Sequence, residues 1–359
     1  MKTLSSYFYA FIPVLFLVVS CQKAKTPLNL GAFAEDLKFL QTHTEILVLR
    51  KGDAAVAVAP AYQGRVMTST TDFQSGPSFG WINRPVIEKG FLSEEAKVGK
   101  LESHIYIFGG EERFWLGPEG GQFGLFFQPG TKFEFSRWST PPPIDTEPFK
   151  VVSQTETSAV FHHDCQLTNY SGTVFKMGID RTVRLLDQRE TETLIVGKLA
   201  PGIRMVGYET DNRLTNRGDL PWIAESGLPS VWILGMYNPS STVTVVIPFV
   251  PGSEAERGVK VKDNYFGKIP ADYMKVEEAV IYFKGDGTRR GKIGVNPKRS
   301  KGVAGSYDAA GHVLTIVTYN RQEAPNGFVN SAWEIQKQPY GGDVINCRCA
   351  SSWRAAWRT

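Results

Sequence analysis

The chain of 359 residues carries 40 Lys and Arg against 36 Asp and Glu, which gives a formal net charge of +4 at pH 7. A net charge this small gives no electrostatic reason to expect nucleic acid or an anionic membrane surface as a partner. Four cysteines do not make a disulfide framework, and five scattered histidines without Cys/His spacing predict no metal site and no cofactor.

A secretory leader is predicted at the N-terminus. One basic residue precedes the apolar run 7–19, which is too short to span a membrane as a mature helix. The run is followed by Ser-Cys21, which matches the bacterial lipobox, where the cysteine is lipidated and becomes the new N-terminus; a plain signal peptide is the alternative. We expect residues 1–20 to be removed, acylated Cys21 to enter the lipid bilayer, and residues 21–29 to form a tether. The residue after this cysteine is Gln22 rather than Asp, which favours sorting to the outer membrane, with the protein facing the periplasm.

The mature chain begins with one short N-terminal helix, followed by many strands. Asn29 is the predicted N-cap of a helix with apolar residues at Leu30, Phe33, Leu37 and Leu40. The predicted strands include 46–50, 54–59, 158–165, 175–186, 191–196, 242–249, 313–319 and 332–336. Clusters of Gly, Pro, Asn and Asp separate these strands, and no alternating helices occur between them. This pattern predicts one all-β domain over residues 30–346, a large antiparallel sandwich.

A Gly-rich segment over residues 107–121 is the first candidate for a ligand site. Arg113, Trp115 and Glu119 occupy alternate positions, so they share a face if this segment is extended. Arg and Glu side chains can hydrogen-bond hydroxyl groups while Trp stacks on a sugar ring, which favours a carbohydrate cleft. The alternative is a structural one, in which Arg113 and Glu119 form an internal ion pair under a packed Trp115.

A second candidate lies in the late strand 332–336. Glu334 and Gln336 are two residues apart and would point to the same face of an extended chain. A carboxylate beside an amide suits a site that holds, or deprotonates, a sugar hydroxyl. Tyr340 and Asp343 follow on a loop that would rim the same cleft. The alternative is a strand end whose polar residues face water.

Together with an Asn83-Arg84 pair and the motif Leu-Thr-Asn-Tyr170-Ser, these segments resemble the sites of aldose 1-epimerases (galactose mutarotases). The resemblance spans roughly residues 45–346 and implies a galactose mutarotase-like β-supersandwich. It implies that Arg84 binds a sugar oxygen and that Glu334 is the catalytic glutamate. Phe108 and Tyr170 stand where those enzymes carry histidines, the second of which is their general acid. The Gly-rich segment is also similar to one in a bacterial lipoprotein family of unknown function with that fold.

The resemblance implies a carbohydrate ligand but leaves the reaction open. In an enzyme, Glu334 would be the base of an epimerase, isomerase or lyase-type step, with Tyr170 or Glu119 as the acid. Ordinary mutarotase activity is not expected, because both histidines are replaced and the pKa of a tyrosine is ordinarily about 10. A glycan-binding lipoprotein without catalysis is one alternative. A glycosidase is the other, and it would use Glu119 and Glu334 as opposed carboxylates.

The sequence changes character at residues 347–359. This tail has no alternating pattern and no acidic residue, and it holds three arginines and two tryptophans. We expect it to be disordered, or the product of a lost reading frame or a truncation, rather than part of the fold. Contact with lipid headgroups is the alternative.

The lipobox predicts that Cys21 alone anchors the protein. We expect Cys21→Ser to abolish lipidation and to release the protein from membranes, because acyl chains on that cysteine supply the attachment. Membrane fractionation after a salt wash is the measurement. A variant that still sediments with the membranes would show that the lipobox interpretation is wrong.

Overall fold

The structure, a computed structural model, describes residues 32–320 and 327–349. The predicted leader, Cys21 and the tether lie outside the described residues, as does the end of the tail from residue 350. Among the helices of the described part, none is long and apolar enough to cross a membrane.

The predicted N-terminal helix is present as α1, Phe33–His43, but its start differs. Ala32 is the N-cap and makes no side-chain capping hydrogen bond, whereas Asn29 lies outside the described residues. Phe33 and Leu37 are buried against Ala55 and Ala57 of the first sheet, as their spacing predicts. The other helices of the described residues are short: α2 (Arg84–Lys89), α3 (Glu94–Lys97), α4 (Gln188–Leu194) and α5 (Glu254–Arg257).

Helix α4 replaces a predicted strand over residues 191–196. The Asp187 side chain accepts a hydrogen bond from the backbone N of Glu190 at 2.8 Å, and Glu190 accepts one from the backbone N of Asp187 at 2.7 Å. This reciprocal capping box satisfies two of the amide groups that a helix start leaves unpaired. The capping box stabilises the helix more than the β-propensity of residues 191–196 favours a strand.

Strands make up most of the described chain. They are β1 (Leu47–Lys51), β2 (Ala54–Ala59), β3 (Arg65–Thr70), β4 (Arg113–Gly117), β5 (Lys150–Gln154), β6 (Ser158–Thr168), β7 (Val174–Leu186), β8 (Gly207–Asn216), β9 (Ser230–Leu234), β10 (Val243–Pro248), β11 (Met274–Val276), β12 (Val280–Lys284), β13 (Gly291–Val295), β14 (Val303–Asp308), β15 (Val313–Thr318) and β16 (Ile345–Cys349). The predicted all-β class is therefore confirmed.

The strands form several sheets, and the strand pairs within them are antiparallel. The orders are β1-β2-β3, β5-β6-β7-β8, β4-β9, β11-β12-β10-β14-β15 and β13-β16. In β7 the alternating burial of Phe175, Met177 and Ile179 places one face on the core. Sequential antiparallel neighbours of this kind need only short connections, which agrees with the Gly- and Pro-rich turns of the sequence.

The two largest apolar clusters of the described residues lie in different sheets. The larger one lies among β1 to β7 and includes Phe114, Phe161 and Ile179, while the other includes Ile247, Phe283 and Ile293 in the C-terminal sheets. An open cleft of about 3930 Å³ is lined by residues of β8, β9, β10, β14 and β15, among others. Both N-terminal and C-terminal sheets therefore contribute to the lining of this cleft.

The last described strand extends past the predicted end of the domain. Strand β16 pairs with β13, and its register aligns Cys347 with Ile293 and Cys349 with Gly291. Residues 347–349 are thus part of the fold, contrary to the predicted boundary at residue 346. The sequence of residues 347–349 lacks the alternating pattern typical of a strand. Backbone hydrogen bonds to β13 can nevertheless form, because they do not depend on the side chains.

Three buried arginines fix the segment that leads into β4. Arg65 donates to the carbonyl of Gly109 at 3.0 Å, Arg113 pairs with Asp145 at 2.7 Å, and Arg181 pairs with Glu112 at 3.0 Å. The three guanidinium side chains have exposures of 2% or less. Charges at such depth are stable only when paired or hydrogen-bonded, so these contacts specify where the segment lies.

We expect Asp145→Ala to destabilise the protein by roughly 3–5 kcal/mol, because it leaves Arg113 buried without its partner. Asp211→Ala is the control, since Asp211 pairs with Arg213 at 3.4 Å on the exposed surface. Such a surface pair contributes about 0–1 kcal/mol. Denaturant unfolding of both variants is the measurement, and equal losses of stability would contradict a structural role for the buried pair.

Candidate functional site

Glu111 is the most distinctive group on the wall of the cleft. Its side chain is 3% exposed, and its carboxylate accepts hydrogen bonds from the backbone N of Ser69 at 2.5 Å and from the Ser69 hydroxyl at 2.8 Å. The Tyr208 hydroxyl donates to the same carboxylate at 3.3 Å. Ser69, Glu111 and Tyr208 all line the cleft.

Two glycines bring Glu111 to this position. Gly109 and Gly110 adopt φ angles of +91° and +109°, which residues with a side chain rarely adopt. A Cβ atom on Gly109 would lie 2.1 Å from the carbonyl oxygen of Trp81. The tight approach lets the Gly110 amide donate to that same oxygen at 2.9 Å, so the Gly-Gly pair sets the path of the chain into the acidic residues.

Burial raises the pKa of Glu111 to about 7, against opposing hydrogen bonds from Ser69 and Tyr208, and the nearby Glu112 carboxylate raises it further. Within the described part of the chain, Glu111 has no ion-pair partner. The carboxyl group can therefore be either protonated or ionised near neutral pH, as a general acid or base requires.

Glu112, the adjacent acid, has a different environment. It accepts hydrogen bonds from Arg181 at 3.0 Å and from the Thr210 hydroxyl at 2.8 Å. The same arginine donates to the Asn212 side chain at 2.6 Å. Glu112 thus has a cationic structural partner, whereas Glu111 has none among the described residues.

Two tyrosines complete the polar wall. Burial raises the pKa of Tyr208 well above its ordinary value, and the negative charges of Glu111 and Glu112 add to the effect. Burial also raises the pKa of Tyr237, which is hydrogen-bonded to Tyr208. Both hydroxyls therefore stay protonated at neutral pH and can donate hydrogen bonds to a carboxylate or to a ligand oxygen.

An aromatic surface adjoins this polar wall. Trp81, Trp232 and Trp333 line the cleft and are partly buried. Trp115 of β4, which pairs in register with Trp232 of β9, is only 1% exposed and packs in the core, with the guanidinium carbon of Arg113 4.3 Å from its ring. The partly exposed indole rings offer flat faces, which suit stacking on the C–H face of a sugar.

Six of the residues predicted from the sequence line the cleft: Asn83, Arg113, Trp115, Glu119, Tyr340 and Asp343. The half-buried Glu119 carboxylate has no hydrogen-bond partner in the described part of the chain, so it is accessible to a ligand. The predicted Arg113–Glu119 ion pair does not form, because Asp145 takes its place. Asn83 and Tyr340 are occupied structurally, donating to the carbonyls of Ile107 at 2.8 Å and Ala224 at 2.7 Å.

The structure does not bring Glu334 to the cleft. Residues 332–336 form no strand, Glu334 is exposed, and it does not line the cleft. Gln336 is buried instead, and its side chain donates to the carbonyls of Asn330 at 2.9 Å and Ala332 at 2.8 Å. The Gln122 side chain accepts from its backbone N at 2.9 Å. These contacts fold the segment into a loop, so the two residues do not share a face.

Tyr170 and Arg84 also lie away from the cleft. The Tyr170 hydroxyl donates to the carbonyl of Thr131 at 2.8 Å, and its ring packs on Phe133, so it cannot serve as the general acid. Arg84 begins helix α2 and pairs with Asp36 of α1 at 2.5 Å. Both predicted ligand contacts are therefore structural contacts.

Sequence reasoning missed Ser69, Glu111, Tyr208 and Tyr237. One indication was present, because Glu111 directly follows the Gly-Gly pair and shares the alternating face of Arg113 and Trp115. The tyrosines carry no recognisable motif. In the described chain no group of three or more His, Cys, Asp or Glu side chains is placed to hold a metal ion.

Comparison with known proteins gives a family but no activity. The crystal structure of a galactose mutarotase-like protein from Lactobacillus casei ATCC 334 is similar at 10% sequence identity and a TM-score of 0.42, covering 86% of this chain and 96% of that one. No curated protein matches the chain. The family described as "Family of unknown function (DUF6786)" matches residues 31–354, so the chain belongs to that family.

Proposed function

We propose that the protein binds a carbohydrate in the cleft and transfers a proton to or from it, with Glu111 as the general base. One observation carries the proposal: a buried carboxyl group with a pKa of about 7 lines a large cleft and has no cationic partner among the described residues. A base whose pKa lies near the working pH combines a useful ionised fraction with adequate basicity.

The neighbours of Glu111 support this role. Two hydrogen bonds from Ser69 and one from Tyr208 hold the carboxylate in one orientation. The hydroxyl of Tyr208 stays protonated because burial raises its pKa. A fixed donor beside a base can also stabilise negative charge that develops on a substrate oxygen as the proton leaves.

The aromatic surface supports a sugar as the ligand. The partly buried Trp81 and Trp232 line the cleft, and Glu119 adds a carboxylate to its lining. The cleft volume of about 3930 Å³ exceeds the roughly 300–1,000 Å³ of small-molecule pockets, which favours an extended ligand such as an oligosaccharide.

The alternatives differ in what they require of Glu111. A glycosidase that uses Glu119 and Glu334 is not supported, because Glu334 does not line the cleft. A glycan-binding protein without catalysis would use the aromatic surface but would not need a carboxyl group tuned to neutral pH. The perturbed pKa of Glu111 therefore favours an enzyme of the epimerase or isomerase kind.

The lipid anchor remains part of the proposal. Twelve residues separate Cys21 from Phe33, the first residue of α1, and so many residues span at most ~40 Å. An acylated Cys21 would hold the cleft close to the bilayer, where a periplasmic glycan is accessible.

We expect Glu111→Gln to retain sugar binding and to lower the rate of proton exchange by roughly a hundredfold or more, because the amide cannot accept the proton. Deuterium incorporation into sugar C–H positions in D₂O, and anomeric interconversion, are measured by NMR on a panel of aldoses and uronic acids. For the wild type, kcat/KM should rise as pH increases through about 7, because the carboxylate form of Glu111 increases over that range.

Glu334→Gln is the matched control, since it makes the same change at an exposed residue that does not line the cleft. It should keep the wild-type rate. An unchanged rate in Glu111→Gln would refute the assignment of the base. Binding by the wild type without any exchange would refute catalysis, and no binding to any member of the panel would refute the carbohydrate ligand.

A further inference from the structure

An exposed apolar loop, residues 194–206, connects helix α4 to strand β8. The side chains of Leu194, Val196 and Ile203 in this loop are 45%, 92% and 58% exposed, and the loop contains no acidic residue. Val196 has the highest exposure of the large apolar side chains in the described chain. Exposed apolar patches of this kind mark surfaces that contact another protein, a ligand or a membrane.

The loop is closed at its base and has a defined path. A Cβ atom on Gly207 would lie 2.6 Å from the Thr191 hydroxyl, so the end of the loop packs against α4. The Glu192 carboxylate accepts hydrogen bonds from the Lys198 side chain at 2.7 Å and from the backbone N of Leu199 at 3.2 Å. These contacts fix the backbone while the apolar side chains of the loop stay in solvent.

Val196 is an unfavourable residue for its position. Helix α4 ends in a Schellman motif, in which the backbone N of Gly197 donates to the carbonyl of Glu192 at 3.0 Å and that of Val196 to the carbonyl of Thr193 at 3.3 Å. The motif gives Val196 a φ of +51°, where glycine is the usual residue and a β-branched side chain is strained. Since neither the backbone nor solubility favours valine here, a contact outside the chain explains this side chain.

The loop lies beside the point where the chain enters the fold. Arg204 of the loop pairs with Asp72 at 3.7 Å. The carbonyl of Asp72 accepts a hydrogen bond from the backbone N of Gly76 at 2.7 Å, and the carbonyl of Gly76 accepts one from the backbone N of Phe33 at 3.1 Å. Because Phe33 begins α1, the segment that follows the proposed lipid anchor at Cys21 arrives next to the loop.

From these observations we infer that residues 194–204 dock on the bilayer that holds the lipid anchor, with the three exposed apolar side chains inserted among the lipid headgroups. The inference rests on the anchor of the proposed function and is independent of the role of Glu111. The contact is apolar rather than electrostatic, because Lys198 and Arg204, the basic residues of the loop, are already ion-paired. Residues of the same loop line the cleft, so docking sets the cleft beside the membrane surface.

The loop supplements the anchor and does not replace it. Its three exposed apolar side chains carry fewer carbon atoms than one myristoyl chain, which by itself gives only marginal membrane binding. Loss of Cys21 therefore still releases the protein. What the second contact adds is orientation, because a protein held at two adjacent points cannot rotate freely about its tether.

The test maps lipid contacts of the full chain in phosphatidylcholine vesicles that contain a photoactivatable lipid. Mass spectrometry of the peptides after illumination locates the labelled segments. The variants are Val196→Gly and the double substitution Val196→Ser with Ile203→Ser, and Leu220→Ser is the control. Leu220 is 79% exposed and its carbonyl accepts from Asn216 at the opposite end of β8, a strand whose ten residues span about 30 Å.

We expect the peptide with residues 194–204 to be labelled and the peptide with Leu220 to remain unlabelled. The double substitution should lower the labelling of the loop by roughly tenfold, because it removes two inserted apolar side chains, and Leu220→Ser should leave it unchanged. Val196→Gly should also lower the labelling, while the Tm stays the same or rises, because glycine adopts this φ without strain. Lost docking is thereby separated from misfolding.

Labelling of the loop that survives the double substitution, or that equals the labelling at Leu220, would overturn the docking and leave the anchor standing. An unlabelled loop in a chain that forms dimers, which the double substitution dissociates, would also overturn it in favour of a second copy. Failure of the full chain to associate with the vesicles would overturn both the docking and the anchor. The proposed catalysis is unaffected by each of these results, since it is measured by proton exchange.

Discussion

Burial of three consecutive charged residues, Glu111, Glu112 and Arg113, is the constraint on which the rest of the molecule depends. A charged group removed from water needs a partner, or its pKa must shift until it becomes neutral. Arg113 has an ion-pair partner in Asp145, and Glu112 has one in Arg181. Glu111 accepts hydrogen bonds from Ser69 and Tyr208 but has no such ion pair among the described residues, and burial raises its pKa. The structural pairs therefore hold Glu111 in place beside the cleft.

The same constraint links fold and cleft. The segment that carries Glu111 continues into β4, whose pairing with β9 aligns Trp115 with Trp232. Glu111 and the partly buried Trp232 both line the cleft. Connected strands thus bring a carboxyl group and an aromatic ring to one cleft, which is why we assign them to one site.

Patterns within a short stretch of sequence predicted the fold well. The apolar spacing of Phe33 and Leu37 predicted α1, and the run at residues 54–59 coincides with β2. The alternating segment around Arg113 and Trp115 is extended as β4, and both side chains are buried. In each case the deciding information lies within a few residues, because side-chain direction follows from the local period of the backbone.

The site itself depends on contacts that are distant in sequence. Ser69 and Tyr208 are 42 and 97 residues from the carboxylate that they contact, so no local motif could identify Glu111. The strand predicted around Glu334 is absent for the same kind of reason. Gln122, 214 residues away, holds the neighbouring Gln336 in a loop where a strand was predicted. Neither a resemblance of short motifs nor the periodicity of a sequence contains information about contacts between residues so far apart in the chain.

The most direct test of this account is the titration of the Glu111 carboxyl group. Wild type and Glu111→Gln, labelled with ¹³C at the glutamate side-chain carboxyl, would be followed by NMR from acidic to alkaline pH. The account predicts one resonance in the wild type that titrates near pH 7 and is missing from the variant. A Glu111 resonance that titrates at the ordinary glutamate value of about 4.3 would contradict it.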